Sequence, residues 1–134
     1  MFLVDTNVIS EFRRPKPHGA VIAWASEVDD GDLHISAVTL GEIQRGIEIT
    51  RRQDEAKAAE IEAWADLLAD TYNVVAVDGP TFRRWARLMQ GVANTVYEDA
   101  LIAATAIEHD LTIVTRNVKD FQRFGVRLLN PFSR

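Results

Sequence analysis

The sequence predicts an α/β domain in which a central parallel sheet is covered by helices on both faces. Three observations predict it. Short apolar runs alternate along the chain with longer stretches of helical periodicity. The first four of those runs are unbroken rather than alternating, as in strands buried on both sides. The chain has 134 residues, 47% of them hydrophobic, which suits one packed domain spanning 1–134 and argues against disorder.

Taken in order, residues 2–5 form the first strand and end in Asp5. The breaker cluster Arg14, Pro15, Lys16, Pro17, His18 and Gly19 is a loop. Residues 33–36 are the second strand, followed by a helix that carries Gly41, Glu42 and Gly46. A mid-helix glycine costs about 1 kcal/mol against alanine, so this pair suggests close backbone approach or room for a ligand. Within 54–70, Ile61, Trp64, Ala65 and Leu68 make a helical stripe, and 73–77 make a third strand. Asp78, Gly79 and Pro80 cap and start a helix whose stripe is Phe82, Trp85, Ala86 and Met89, with Gly91 as its stop. Residues 97–109 are alanine-rich and apolar on nearly every side, hence a buried helix. Strands at 112–115 and 126–129 complete the sheet. Trp24, Trp64 and Trp85 fall in helical stripes and are assigned to the core or to dimer contacts.

Several function classes drop out. There is no cysteine, which removes disulfide scaffolds and thiolate metal sites and fits a reducing cytoplasm. No apolar run approaches the roughly 20 residues of a membrane span, and the first residues lack the pattern of a signal peptide. A net charge of −5 argues against a broad basic surface for nucleic acid, though a bound cation would reverse the local sign. His18, His34 and His109 are scattered without ligand spacing, so zinc is not expected.

Ligands of parallel sheets bind outside the carboxyl ends of the strands. Three acids fall there. Asp5 ends the first strand, where it either meets a cation or caps the next helix. Glu42 lies about two turns beyond the second strand; alone it reads as a solvated glutamate. Asp99 heads the face of Ile102, Ala103 and Ala106, and is preferred to Glu98, whose face through Thr105 and His109 is more polar. No lysine or arginine in these segments neutralises all three. Gathered carboxylates repel one another, and a hard dication with oxygen ligands, Mg²⁺ or Mn²⁺, is the usual remedy.

Four segments, at residues 3–11, 36–42, 98–106 and 114–121, together with the closing Leu129, Asn130, Pro131 and Phe132, resemble the PIN domain. The likeness is to VapC-type toxins of toxin–antitoxin pairs and, within them, to the FitB-like branch. It runs through nearly the whole chain in order. It implies a three-layer α/β/α fold, a homodimer and an antitoxin partner. It also implies an endoribonuclease that hydrolyses RNA phosphodiester bonds with metal-activated water, leaving 5′-phosphate and 3′-hydroxyl ends. Asp5, Glu42 and Asp99 match the first three acidic positions of the family, with Asp5 and Asp99 as the metal ligands and Glu42 completing the shell or orienting water. The fourth acid is replaced by Asn117; Asp120 substitutes if the loop begins a helical turn. Thr6 and Thr115 match hydroxyl positions that orient acids or water. Arg116 and Lys119 adjoin the site and are the expected RNA contacts; Arg13, Arg14, Lys16, Arg83, Arg84 and Arg87 read as solvated cations. Two rivals stand beside this reading. One is a receiver-like phospho-acceptor with Asp78 as acceptor and Thr115 as switch hydroxyl. The other is an inactive domain of the same fold that only binds RNA or a partner.

Overall fold

In a computed structural model, which describes residues 1–133, five parallel strands form one sheet in the order β3-β2-β1-β4-β5. The strands are β1 (Phe2–Val4), β2 (Leu33–Ser36), β3 (Asn73–Val75), β4 (Thr112–Val114) and β5 (Leu128–Leu129). Seven helices connect them: α1 (Thr6–Glu11), α2 (Gly19–Ser26), α3 (Ala37–Arg51), α4 (Glu55–Thr71), α5 (Gly79–Leu88), α6 (Tyr97–Glu108) and α7 (Val118–Gln122). The chain builds outward from β1 to β3, then crosses to the other side of β1 for β4 and β5. That reversal puts a crevice between β1 and β4, where such sheets bind ligands.

The period-2 alternation of strands sorts side chains between two cores. Val4 and Val114 point into the layer of α1 to α4, with Val8, Val21, Trp24, Ile43, Ile47 and Leu68. Their neighbours Leu3 and Ile113 point into the opposite layer, with Ala100, Ile102, Ala103 and Ala106 of α6 and Phe121 of α7. The three-layer architecture expected from the sequence is therefore observed. Helix α6 is buried continuously from Ala100 to Ala106, and it supplies the floor from which Asp99 projects.

Three local expectations are corrected. The third strand covers Asn73–Val75 only and lies at the sheet edge, with Val74 42% exposed. Its apolar run predicts burial on both faces, but residues 76 and 77 follow the strand rather than belonging to it. The fifth strand shrinks to Leu128–Leu129, the other edge. In α5 the apolar stripe is displaced: Thr81 is its buried residue, Trp85, Leu88 and Met89 pack on the core from a half-buried position, and Phe82 and Ala86 are exposed. Trp24 is buried as expected, whereas Trp64 is half-buried beneath the Arg13 guanidinium, 5.8 Å from its ring centroid. The half-buried Trp85 donates its indole N–H to the Tyr97 carbonyl at 3.1 Å.

Candidate metal centre at the carboxyl edge of the sheet

Asp5 leaves β1 at the crevice. Its backbone N–H still continues the ladder, donating to the Val114 carbonyl at 2.9 Å, while its side chain caps α1 by accepting the Thr6 N–H at 2.9 Å. The cap and the strand-end carboxylate are thus one residue doing both jobs. The carboxylate, only 8% exposed, also accepts the Thr115 hydroxyl at 2.8 Å from the end of β4. Burial outweighs these two hydrogen bonds and a third from the Asn7 amide, and raises its pKa above the ordinary aspartate value.

Glu42 projects from α3, whose start is set by Ser36: its hydroxyl accepts the Val38 N–H at 3.0 Å. Thr6 donates its hydroxyl to Glu42 Oε2 at 3.3 Å, joining α1 to α3. Half-burial, then the charges of Glu98 and Asp5, push the Glu42 carboxyl up to about 7. Asp99, in the first turn of α6, is pushed up to about 6 by burial and by Asp5, Asp120 and Glu98, against a pull from Arg123. The three acids chosen from the sequence therefore act on one another at the carboxyl edge, and none makes an ion pair among the described residues.

The other expected residues fall close by. Asn117 sits at the start of α7 with its side chain outside the hydrogen bonds of the site, although its N–H donates to Thr115 Oγ1 at 3.0 Å. The loop does begin a helical turn there, and the exposed Asp120 raises the pKa of both Asp5 and Asp99 through its charge. Arg116 is exposed but engaged, its guanidinium 4.5 Å from the Phe132 ring centroid; Lys119 is exposed on α7.

Sequence reasoning passed over three contributors. Glu98, set aside in favour of Asp99, is the strongest charge acting on Glu42, and accepts the Tyr97 hydroxyl at 3.2 Å. Arg123, which lies outside the acid-bearing segments, lowers the pKa of Asp99 through its charge. Asn7 bonds to Asp5, Thr115 and the Arg116 backbone. Its signals in the sequence are its place two residues after Asp5 and within the family-like segment 3–11; its partner Thr115 is 108 residues away. Gly41 and Gly46 need correction as well. No heavy atom outside their own helix lies within 4 Å of where a Cβ would stand, so close backbone approach is not their reason. They line a groove of about 420 Å³ between α3 and α6, which also includes Glu42 and Glu98.

The receiver-like alternative does not survive this geometry. Asp78 follows an edge strand and caps α5, accepting the Thr81 N–H at 3.0 Å, and Thr115 is committed to Asp5.

The donor set suits a hard divalent cation: carboxylate oxygens, no thiolate, and mutual repulsion that the pull of Arg123 on Asp99 offsets only in part. Among the described residues no three acids already stand as a closed set of ligands.

Residues 2–126 match the PIN domain family. The chain is 30% identical to Toxin FitB of Neisseria gonorrhoeae over 137 residues, covering 98% of this chain and 99% of that one. It is 29% identical to the VapC ribonuclease Y4jK of Sinorhizobium fredii, covering 99% of each. Among solved structures, FitAcB from Neisseria gonorrhoeae superimposes with a TM-score of 0.88 at 28% identity, covering 100% of both chains. A toxin–antitoxin complex from Klebsiella pneumoniae aligns with a TM-score of 0.73 at 25% identity over 98% of each chain.

Proposed function

The chain belongs to the PIN-domain family, and from that premise we propose that it is the endoribonuclease toxin of a toxin–antitoxin pair, of the VapC type and the FitB branch, acting as one catalytic domain. The observation that carries the reading is that Asp5, Glu42 and Asp99 act on one another through their charges at the carboxyl edge of the sheet, none of them in an ion pair among the described residues.

A divalent cation is the cofactor that suits this family and this donor set, and we take it to be Mg²⁺ or Mn²⁺. When bound, such an ion lowers the pKa of water and polarises the scissile phosphate. Asp5 and Asp99 would hold it, Asp5 from a carboxylate already oriented by three donors. Glu42 Oε2 is fixed by the Thr6 hydroxyl, which leaves Oε1 to accept a proton from attacking water or to complete the ligand shell. Thr115 holds Asp5 in place. Asn117 adds no charge, so three acids suffice, with Asp120 lending field rather than a ligand. Lys119 and Arg116 would meet the RNA backbone beside the site, Arg116 from a position stacked on Phe132.

Partners follow from the same premise. One of the similar structures is a toxin–antitoxin complex, which supports a cognate antitoxin as the partner here, and a homodimer near twice 15.0 kDa by light scattering is expected. No helix among the described residues is long and apolar enough to cross a membrane, and we place the protein in the cytoplasm.

The test is cleavage of single-stranded RNA by the purified, antitoxin-free protein with Mg²⁺, with Mn²⁺ and with EDTA, beside Asp5→Asn. Metal-dependent products with 5′-phosphate ends, lost in the variant, are expected. Binding of RNA without product under every metal condition would favour the inactive, RNA-binding alternative.

A further inference from the structure

We propose that Asn7 is a positioning residue of the acidic centre: it ties the loop after β1 to the loop after β4 and fixes which oxygen of Asp5 is left for a cation. The inference rests on the metal-dependent reading above.

Asn7 is half-buried in the first turn of α1. Its Nδ2 donates to Asp5 Oδ2 at 3.2 Å and to Thr115 Oγ1 at 3.3 Å, and its Oδ1 accepts the Arg116 N–H at 3.1 Å. The amide can sit only this way round. Flipped, it would set a donor against the Arg116 N–H and an acceptor against the Asp5 carboxylate. One side chain therefore spans the point where the sheet reverses direction, which is also where the candidate site lies.

The hydrogen bonds then account for the lone pairs. Asp5 Oδ2 receives both Asn7 Nδ2 and the Thr115 hydroxyl, the latter at 2.8 Å, so its two lone pairs are used. Thr115 Oγ1 donates its proton to Asp5 and accepts from Asn7 Nδ2 and from the Asn117 N–H at 3.0 Å, so it too is filled. Asp5 Oδ1 accepts only the Thr6 N–H at 2.9 Å and keeps one lone pair. Oδ1 is thus the ligand atom of Asp5, and Thr115 is a positioning residue rather than a ligand. Asn7 is what separates the two oxygens. Partners that orient metal ligands in this way typically contribute about 10- to 100-fold in metal affinity or activity.

Two variants separate the two arms of the side chain. Asn7→Asp keeps the shape and the acceptor for the Arg116 N–H but removes the donors to Asp5 and Thr115. Asn7→Ala removes everything. Three readouts are needed: hydrogen exchange of the Arg116 amide in EDTA, the melting-temperature increment caused by Mn²⁺ without RNA, and kcat and KM for RNA cleavage in Mn²⁺. Asn7→Asp should keep Arg116 protection, shrink the Mn²⁺ increment and lower kcat by about 10- to 100-fold with KM little changed. Asn7→Ala should also lose the Arg116 protection. A purely structural role would lower the metal-free melting temperature of both variants while leaving the Mn²⁺ increment and kcat at wild-type values, and that result overturns the proposal. So does a Mn²⁺ increment for Asn7→Asp equal to or larger than that of wild type. If Asn7→Ala fails to fold, the Asn7→Asp measurements decide alone. If wild type neither gains stability with Mn²⁺ nor cleaves RNA, the metal-dependent reading itself fails and takes the ligand-atom assignment with it.

Discussion

Replacing Glu42 by glutamine should stabilise the metal-free protein above neutral pH. The carboxyl is displaced from an ordinary value of 4.5 to about 7 by burial and by the charges of Glu98, Asp5 and Asp99. At about 1.4 kcal/mol per pH unit this displacement has a ceiling of roughly 3 kcal/mol. Glu42 is partly open to solvent, so screening reduces the working figure to about 1–2 kcal/mol. The sign follows from proton counts. Between 4.5 and about 7 the folded chain holds a proton that the unfolded chain has released, so stability falls as pH rises through that window and levels off above it. Asp99, raised to about 6, acts in the same direction at a lower range. Groups with lowered pKa, such as Glu11, Glu48 and Asp78, lose their contribution only at more acid pH and do not overlap this window. Glutamine keeps an oxygen for the Thr6 hydroxyl, so little is lost in exchange. Urea unfolding in EDTA at pH 5 and pH 8 measures the effect. Wild type should be weaker at pH 8 than at pH 5, and Glu42→Gln should close much of that gap while losing RNA cleavage. A variant no more stable than wild type at pH 8, with the same pH slope, would refute the argument that burial and the neighbouring carboxylates disfavour the ionised form of Glu42.

Three further outcomes are expected. Asp5→Asn should abolish cleavage and blunt the Mg²⁺-induced rise in melting temperature, which for wild type reflects about 2.7 kcal/mol at a hundredfold excess over the dissociation constant; equal rises in both proteins would remove Asp5 from the metal site. Asp120→Ala should retain most activity, and a loss as deep as that of Asp5→Ala would make it the displaced fourth acid. Gly46→Ala should raise the melting temperature, because the position is helical with open space around it and alanine gains roughly 0.5–1 kcal/mol over glycine there; a fall would mean that the groove beside Glu42 cannot take even a methyl group.

The layers of this fold were legible because the strands are short apolar runs, α4 carries an apolar stripe, and α6 is apolar on nearly every side. Asp5 and Asp99 could be found because each interrupts an apolar surface: Asp5 follows Leu3 and Val4, and Asp99 heads Ile102 and Ala103. What stayed hidden was set by tertiary neighbours. Val74 has the composition of a buried strand, yet nothing local says that β3 is the edge of the sheet. Phe82 lies at a spacing that suits burial, but α5 packs through Thr81 and Trp85 instead. Asn7, Arg123 and Glu98 matter through partners far along the chain, and spacing carries no record of such pairings.

The strand order also sets when this protein can become dangerous to the cell that makes it. β1 precedes the other described strands in the chain, but it lies at the middle of the sheet, and one of its two neighbours, β4, follows more than a hundred residues later. The hydroxyl that steadies Asp5 arrives 110 residues later. A nascent chain halted after α6 would already contain Asp5, Glu42 and Asp99, yet half of the central strand would be unpaired and the crevice would have one wall. Non-local pairing of this kind makes folding slow and leaves it to the end of synthesis. Chains that end before residue 115 should therefore lack ribonuclease activity, which a cleavage assay on such truncated chains would check.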